Sequence, residues 1–349
     1  MATNRGGEPQ LRAVVHIGPI KTGSTAFTEQ MTTSQERGEL GEITVYALPR
    51  EISLHNDLQT IKPEHIRHFT PKLEWNRRSG KGHVVATDSN KVFVNRARAY
   101  LDVLAKDLRG RTKSDTTVFF VEETLSRRPN PGDLSSELLT RFDAVDYVFV
   151  ARAQQFIVPS AIGQRLKGAA HPSMWDGRVS TFLSNENLAH QFDYASILDR
   201  WASSDPRVRV VVVPFLESDR GTQNLFNRIL KAVGVHANLG EPVKSQVNVT
   251  LSRFEIAAIG LYKKLTFPFS RKGLPRGSIR LRGYEFARLA FAQIARIIRS
   301  PRWTVMPDER MGIVDFYQPS NRRFREKLGG LAQSAEWTEW FKQAGIQDS

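Results

Sequence analysis

The sequence predicts an α/β protein of three layers, a central parallel sheet flanked by helices, and three observations point there. Four short runs stand out: Leu11 to Ile17 is apolar, and Thr116 to Val121, Tyr147 to Ala151 and Val208 to Val213 have a continuous β-branched and aromatic character. That composition marks strands buried on both faces. Long helical or mixed stretches separate them, as parallel strands require crossover connections. The first run ends at Gly18-Pro19, and a helix-compatible stretch starts near Thr22 and runs past Met31, so the opening reads as strand, loop and helix.

Further helices are expected at Arg96 to Leu108, Asp133 to Phe142, Gln155 to Lys167, Tyr194 to Trp201, Thr222 to Val233 and Asn321 to Leu328. No internal repeat or low-complexity tract interrupts them. The stretch Phe267 to Gly277, rich in Pro, Gly and charge, is the best linker or mobile loop. Placing the end of the sheet domain just before it gives an α/β core over 1–260 and a basic helical C-terminal extension over 261–349, packed on that core.

At 349 residues the chain has room for one large domain or two modest ones, and for a sizeable core. It holds no cysteine, which removes disulfides, thiolate metal sites, Fe–S clusters and cysteine nucleophiles together. The first 30 residues carry no apolar run suited to a secretory leader, and no stretch reaches the about 18 apolar residues of a membrane span. The expected location is therefore the cytoplasm, in solution or held peripherally at the inner face of a membrane. The sequon Asn248-Val249-Thr250 is then chemically idle.

The formal net charge is +14, and most of it is regional. Between Arg253 and Arg302 twelve Lys and Arg stand against Glu255 and Glu285 alone. Inside that segment Tyr284, Phe286, Leu289, Phe291, Ile294, Ile297 and Ile298 recur at helical spacing, with Arg288, Arg296 and Arg299 interleaved. Two readings fit this basic amphipathic helix. Its apolar stripe faces the core and its basic face is solvated, or it meets an anionic partner, either a membrane surface or an acidic glycan.

After the first strand the chain reads Gly18-Pro19-Ile20-Lys21-Thr22-Gly23-Ser24-Thr25 and then turns helical. A small-residue turn at a helix N-terminus presents backbone N–H groups to an anion, with hydroxyls and one ammonium in support. The ATP-binding P-loop places its lysine after the last glycine, whereas Lys21 precedes Gly23 by two residues. That order resembles the 5′-phosphosulfate loop of the sulfotransferases that use 3′-phosphoadenosine 5′-phosphosulfate, P-K-[ST]-G-[ST]-[ST]. The whole phrase from His16 to Ala26 is similar to the bacterial and polysaccharide-type branch of that family. A second motif agrees. Arg152 ends the strand that begins at Tyr147, and Ser160 follows eight residues later, the spacing at which the family holds the nucleotide's 3′-phosphate.

Weaker likenesses cover much of the rest. Phe119 to Leu125 resembles the family's S-S-E-x-L segment, with Glu123 at the glutamate and Val121-Glu122 replacing the serines. Phe192-Asp193-Tyr194 through Leu198 and Trp201 resembles Y-x-x-x-L-x-x-W, with Val208 to Phe215 as the following strand. Asn248 with Leu251-Ser252 is similar to N-x-S-L-S, and Ser320-Asn321-Arg322 through Gly329 to the S-N-x-R-[FL] ending. Arg271-Lys272-Gly273 resembles an R-K-G phrase that cytosolic members place on the 3′-phosphate. Thr28 or Glu29 stands where a glutamine often follows the loop, and Gly38 to Tyr46 matches the usual G-[IV]-x-Y strand only roughly.

The resemblance implies a P-loop-like fold and in-line transfer of a sulfuryl group from 3′-phosphoadenosine 5′-phosphosulfate to a hydroxyl or amine, with adenosine 3′,5′-bisphosphate as product. Thr22, Gly23, Ser24 and Thr25 would hold the 5′-phosphate, and Lys21 would meet or protonate the charge that grows on the leaving oxygen. Arg152 and Ser160 would hold the 3′-phosphate. The acceptor's proton needs a general base, for which Glu123, just past a strand end, is the choice and His55 the rival. The basic segment points to a glycan or glycolipid acceptor. No metal is expected, since His65 and His68, the one close His pair, lack carboxylates at ligand spacing. Two rivals remain. A P-loop kinase or ATPase would want lysine after the final glycine and an Asp for Mg²⁺ at a strand end. A nucleic-acid-binding protein, suggested by charge, lacks any recognised motif, and no nucleic-acid partner is expected.

Overall fold

The computed structural model describes residues 10–19, 115–121, 125–127, 131–167, 177–220, 223–236, 251–266 and 279–346, together with 239 and separate positions within 27–40 and 101–110. Four strands, β1 (Leu11–Gly18), β2 (Thr116–Val121), β3 (Ala144–Arg152) and β4 (Val208–Phe215), form a single sheet in the order β2-β1-β3-β4. All four run parallel. β1 is central, with Val14 opposite Phe119 of β2 on one side and opposite Asp146 of β3 on the other.

The described helices up to residue 236 are α1 (Gly132–Leu139), α2 (Gln154–Lys167), α3 (Val179–Leu183), α4 (Glu186–Ala189), α5 (Tyr194–Trp201) and α6 (Asn224–Ala232). The C-terminal part adds α7 (Arg253–Thr266), α8 (Ile279–Ile297), α9 (Pro307–Leu328) and α10 (Ala335–Gln343). Two compact units result. One comprises Met1–Ala151 and Ile197–Ser245 and contains the sheet, and the other comprises Arg152–Ser196 and Gln246–Ser349 and is helical. The expected cut between 260 and 261 falls within α7.

Both faces of the sheet are apolar because successive residues of a strand alternate sides. On one face Val14, Phe119, Val148 and Val150 pack with Phe27 and Met31, and with Phe226 and Ile229 of α6. On the other, Tyr147 sits 4.5 Å from the Trp201 ring, and its hydroxyl shares a 2.9 Å hydrogen bond with Ser135 of α1. Phe120 meets Phe142 edge-on at 5.8 Å on that side too. Helices on both faces are what a parallel sheet needs, and the unbroken apolar runs of the sequence follow from it.

One polar row crosses all four strands near their N-terminal ends. Arg209 of β4 grips Asp146 of β3 through two hydrogen bonds of 2.9 and 2.8 Å. Arg12 of β1 reaches the same carboxylate at 3.4 Å and Thr117 of β2 at 3.3 Å. The second unit has a different core, a ring cluster in which Phe324 of α9 lies 5.6 Å from Tyr194 and 5.5 Å from Trp340. The helix expected at Asn321 to Leu328 is only the last part of α9, a 22-residue helix that carries Pro319 inside it. It starts at Pro307, where a missing N–H matters least, and the Glu309 carboxylate accepts the Met306 N–H at 3.2 Å.

Removing the shared carboxylate leaves two guanidinium groups facing each other across three strands. Asp146→Ala should therefore lower unfolding free energy by about 2 kcal/mol, less than for a wholly buried pair because Arg209 is half-exposed. Urea unfolding followed by circular dichroism checks this, and an unchanged midpoint would remove the row from the account of sheet stability.

Candidate functional site

At the carboxyl edge of the sheet β1 and β3 end side by side, with Gly18 pairing with Phe149. β1 finishes at Gly18 with φ of 107°, a conformation that a side chain resists, so the glycine is required for the chain to leave the sheet in this direction. Phe27, Gln30, Met31, Thr33 and Ser34 are helical again. Phe27 holds that helix down, with its ring 6.0 Å from Phe119 of β2 and 5.4 Å from Phe226 of α6. A strand up to Gly18 and helical residues from Phe27 agree with the strand and helix that the sequence predicts on either side of this segment. Lys21, Thr22, Gly23, Ser24 and Thr25 lie outside the described residues, as do Glu123, His55 and the Arg271-Lys272-Gly273 phrase.

Arg152 and Ser160 are described. Gly18 pairs with Phe149, so β3 runs past the last residue of β1 and ends at Arg152, which is 6% exposed. Ser160 lies half-buried on α2, and its hydroxyl donates to the Phe156 carbonyl one turn back at 3.2 Å. This local bond is a common resting place for a helical serine.

Sequence reasoning did not foresee how firmly the backbone around Arg152 is held. The Tyr194 hydroxyl donates to the Arg152 carbonyl at 2.5 Å. Gln154, the first residue of α2, exchanges two amide hydrogen bonds with Asn321 of α9, at 2.8 and 3.0 Å, and also donates to the Phe192 carbonyl at 3.1 Å. Next to this pair Ser320 donates to the Asp193 carboxylate at 2.5 Å, and that carboxylate caps α5 by accepting the Ser196 N–H at 3.1 Å. Burial alone would raise the Asp193 carboxyl, but the hydrogen bonds from Ser320 and Ser196 and the charge of Arg323 outweigh it and hold the group below the usual carboxylate range. The Phe192-Asp193-Tyr194 and Ser320-Asn321 phrases were therefore visible in the sequence, but their role is to fix the turn from β3 into α2.

His16 is the second unforeseen feature. It sits in β1 two residues before Gly18, opposite Val121 of β2 and Val148 of β3. The ring is buried and stacks on Phe27 at 6.4 Å, and among the described residues neither nitrogen has a hydrogen-bond partner. Desolvation disfavours the imidazolium and lowers its pKa to about 4, so the ring is neutral at physiological pH. Its only signal in the sequence is a histidine inside an otherwise apolar strand run.

Fold and site together define an α/β protein whose parallel sheet presents, at its carboxyl edge, a glycine-led exit from β1 beside a buried arginine ending β3. Among known proteins, no family model matches the chain and no curated protein matches it.

The unfolded chain binds a proton at His16 near pH 6.5, while the folded chain refuses it until about 4. Stability is therefore lost as pH falls through that window. Relative to His16→Phe, which keeps the stacking on Phe27 without a titrating group, the wild-type protein should lose about 2 kcal/mol between about pH 7.5 and about pH 5. Parallel urea titrations at the two pH values measure the difference, and equal losses in both proteins would mean that His16 charges freely when folded.

Proposed function

We propose that this chain is a sulfotransferase of P-loop-like fold that moves a sulfuryl group from 3′-phosphoadenosine 5′-phosphosulfate to a hydroxyl or amine of a carbohydrate or glycolipid. One observation carries the reading. In the order β2-β1-β3 the chain leaves β1 for one side and later returns to the other, so the carboxyl ends of β1 and β3 flank a switch in strand order. Open α/β sheets bind nucleotides at such a point. The segment Lys21-Thr22-Gly23-Ser24-Thr25 follows the first of these strands, and Arg152 ends the second.

The donor chemistry fits a nucleotide with phosphate at both ends. A guanidinium fork donates two parallel hydrogen bonds to a phosphate, and the Arg152 backbone is held in place by the Tyr194 hydroxyl on its carbonyl. The Ser160 hydroxyl spends its proton on a local bond of 3.2 Å, long for an O–H donor, and rotation would exchange that bond for a charge-assisted one. Lysine ahead of Gly23 favours this reading over a P-loop kinase, which places the cation after the glycine to reach a further phosphate.

When bound, the nucleotide supplies an activated sulfuryl group: the acceptor's lone pair forms the new bond to sulfur while the bond to the bridging phosphate oxygen breaks and leaves its electron pair there. Lys21 supplies the positive charge, or the proton, that the bridging oxygen then needs. Thr22 to Thr25 orient the 5′-phosphate, and Arg152 with Ser160 anchor the other end, so that position and electrostatics do most of the catalysis. Glu123 takes the proton released by the acceptor.

Because the two phosphates are held by different groups, their contributions separate. Arg152→Ala or Ser160→Ala should weaken binding of adenosine 3′,5′-bisphosphate about tenfold or more and leave binding of adenosine 5′-phosphosulfate, which has no 3′-phosphate, nearly unchanged. Titration calorimetry with both ligands reads this directly, with Ser160→Ala as the variant least disturbing to the fold. Equal losses for the two ligands would take these residues away from the 3′-phosphate.

A further inference from the structure

We propose that the paired helices α7 and α8 dock this protein peripherally on an anionic lipid bilayer. The inference does not rest on the sulfuryl-transfer reading. It starts from which side of α8 is turned inward. The Tyr284 hydroxyl donates to the Leu166 carbonyl at the end of α2 at 2.6 Å, and the buried ammonium of Lys263 on α7 donates to the same carbonyl at 2.9 Å while lying 5.3 Å from the Tyr284 ring centre. Tyr262 of α7 packs on Tyr284 and Phe291 with ring centres 6.0 and 6.2 Å away. Those contacts, with buried Ala295, fix the inner face of α8.

A helix turns about 100° per residue, so Phe286 and Ile297 project nearly opposite Tyr284 and Ala295. They are 77% and 80% exposed, and Leu289 between them is 58% exposed. On α7, Leu261 and Leu265 are 59% and 73% exposed, on an arc away from buried Ile259 and Lys263. The core-facing reading of the amphipathic pattern thus holds for Tyr284 and fails for these side chains. Arg296 and Arg299 lie exposed among them, and Arg288 is half-buried toward Tyr284. Among the described residues no carboxylate forms an ion pair with Arg296 or Arg299.

Arg299 adds an independent sign that this charge matters. α8 ends in a Schellman turn, with Ser300 N–H on the Ala295 carbonyl at 2.9 Å and Arg299 N–H on the Arg296 carbonyl at 3.1 Å. The residue at the left-handed position of such a turn is usually glycine, yet here it is Arg299 with φ of 51°. The fold accepts a disfavoured conformation and keeps a cation at the edge of the apolar face.

Charge and apolarity together select the occupant. A polyanionic glycan would pair with the guanidinium groups but offers nothing to Phe286, Leu289 and Ile297. A second copy would bring the same unpaired cations against this face. A bilayer with anionic headgroups satisfies both sets, the rings and branched chains entering the acyl boundary while the arginines meet headgroup charge. No helix among the described residues is long and apolar enough to cross the membrane, so the contact is peripheral.

Vesicle flotation of the full chain tests this. With vesicles containing about 30 mol% phosphatidylserine in phosphatidylcholine the protein should float, and with phosphatidylcholine alone it should bind at least about tenfold more weakly. Phe286→Ser with Ile297→Ser, and separately Arg296→Glu with Arg299→Glu, should each abolish most of the binding without lowering the melting temperature. Arg299→Gly should raise the melting temperature yet weaken vesicle binding about fivefold, an opposition that a purely structural role cannot produce. The proposal is overturned if the wild-type protein ignores anionic vesicles. It is overturned as well if the serine variants bind unchanged, which would mark a site for a polyanion, or if sedimentation shows a dimer that those variants dissolve.

Discussion

A parallel sheet covered on both faces leaves one kind of place where its backbone meets ligand, the ends of its strands, and the rest of this molecule is organised around that constraint. β1 is central and buried on both sides, so it could be neither an edge nor a platform. What it offers is its carboxyl end. Gly18 releases the chain there, and Phe27 returns it to the sheet as helix against Phe119 and Phe226. His16, stacked on Phe27 with neither ring nitrogen hydrogen-bonded among the described residues, belongs to the same solution. It is packed as an aromatic ring, and the strand tolerates its nitrogens only while they are uncharged.

The other half of the edge is built differently. Arg152 is the last residue of β3, and its position is set by polar contacts: Tyr194 on its carbonyl, the Gln154–Asn321 amide pair immediately after it, and Ser320 on the Asp193 carboxylate that caps α5. A buried network with its donors and acceptors matched tolerates few alternative arrangements, which is how polar groups contribute precision where apolar packing alone would allow sliding. The residues supplying it come from chain positions more than a hundred apart, 154 and 321 among them, so the turn from β3 into α2 depends on α9 being in place.

The strands were legible because burial on both faces leaves an unbroken β-branched and aromatic run, and the helix after Gly18 because its punctuation is local. Less could be read where the decisive fact is a partner distant in sequence. The first two-thirds of α9 escaped notice since Pro319 and a polar surface mask a helix that starts at a proline. On α8 the apolar spacing was visible, but Tyr284 and Phe286 look alike in a sequence. Only the hydroxyl bond to Leu166 decides which one is inside. Arg152 and Ser160 stand out in the sequence by their spacing, whereas the hold on Arg152 by Tyr194 and the Ser160 bond to Phe156 do not, because neither follows from residue type. Lys21, Thr22 to Thr25 and Glu123 rest on the sequence and its family likeness.

The central claim is that the carboxyl edge of β1 and β3 accepts a nucleotide phosphorylated at both its 3′ and 5′ positions. Thermal unfolding with adenosine 3′,5′-bisphosphate in the presence of a chelator, beside ATP with Mg²⁺, measures it most directly. The account predicts that the bisphosphate raises the melting temperature without any divalent cation, and that the rise grows with ligand concentration as linkage to the folded state requires. Stabilisation by ATP with Mg²⁺ and none by the bisphosphate would contradict it.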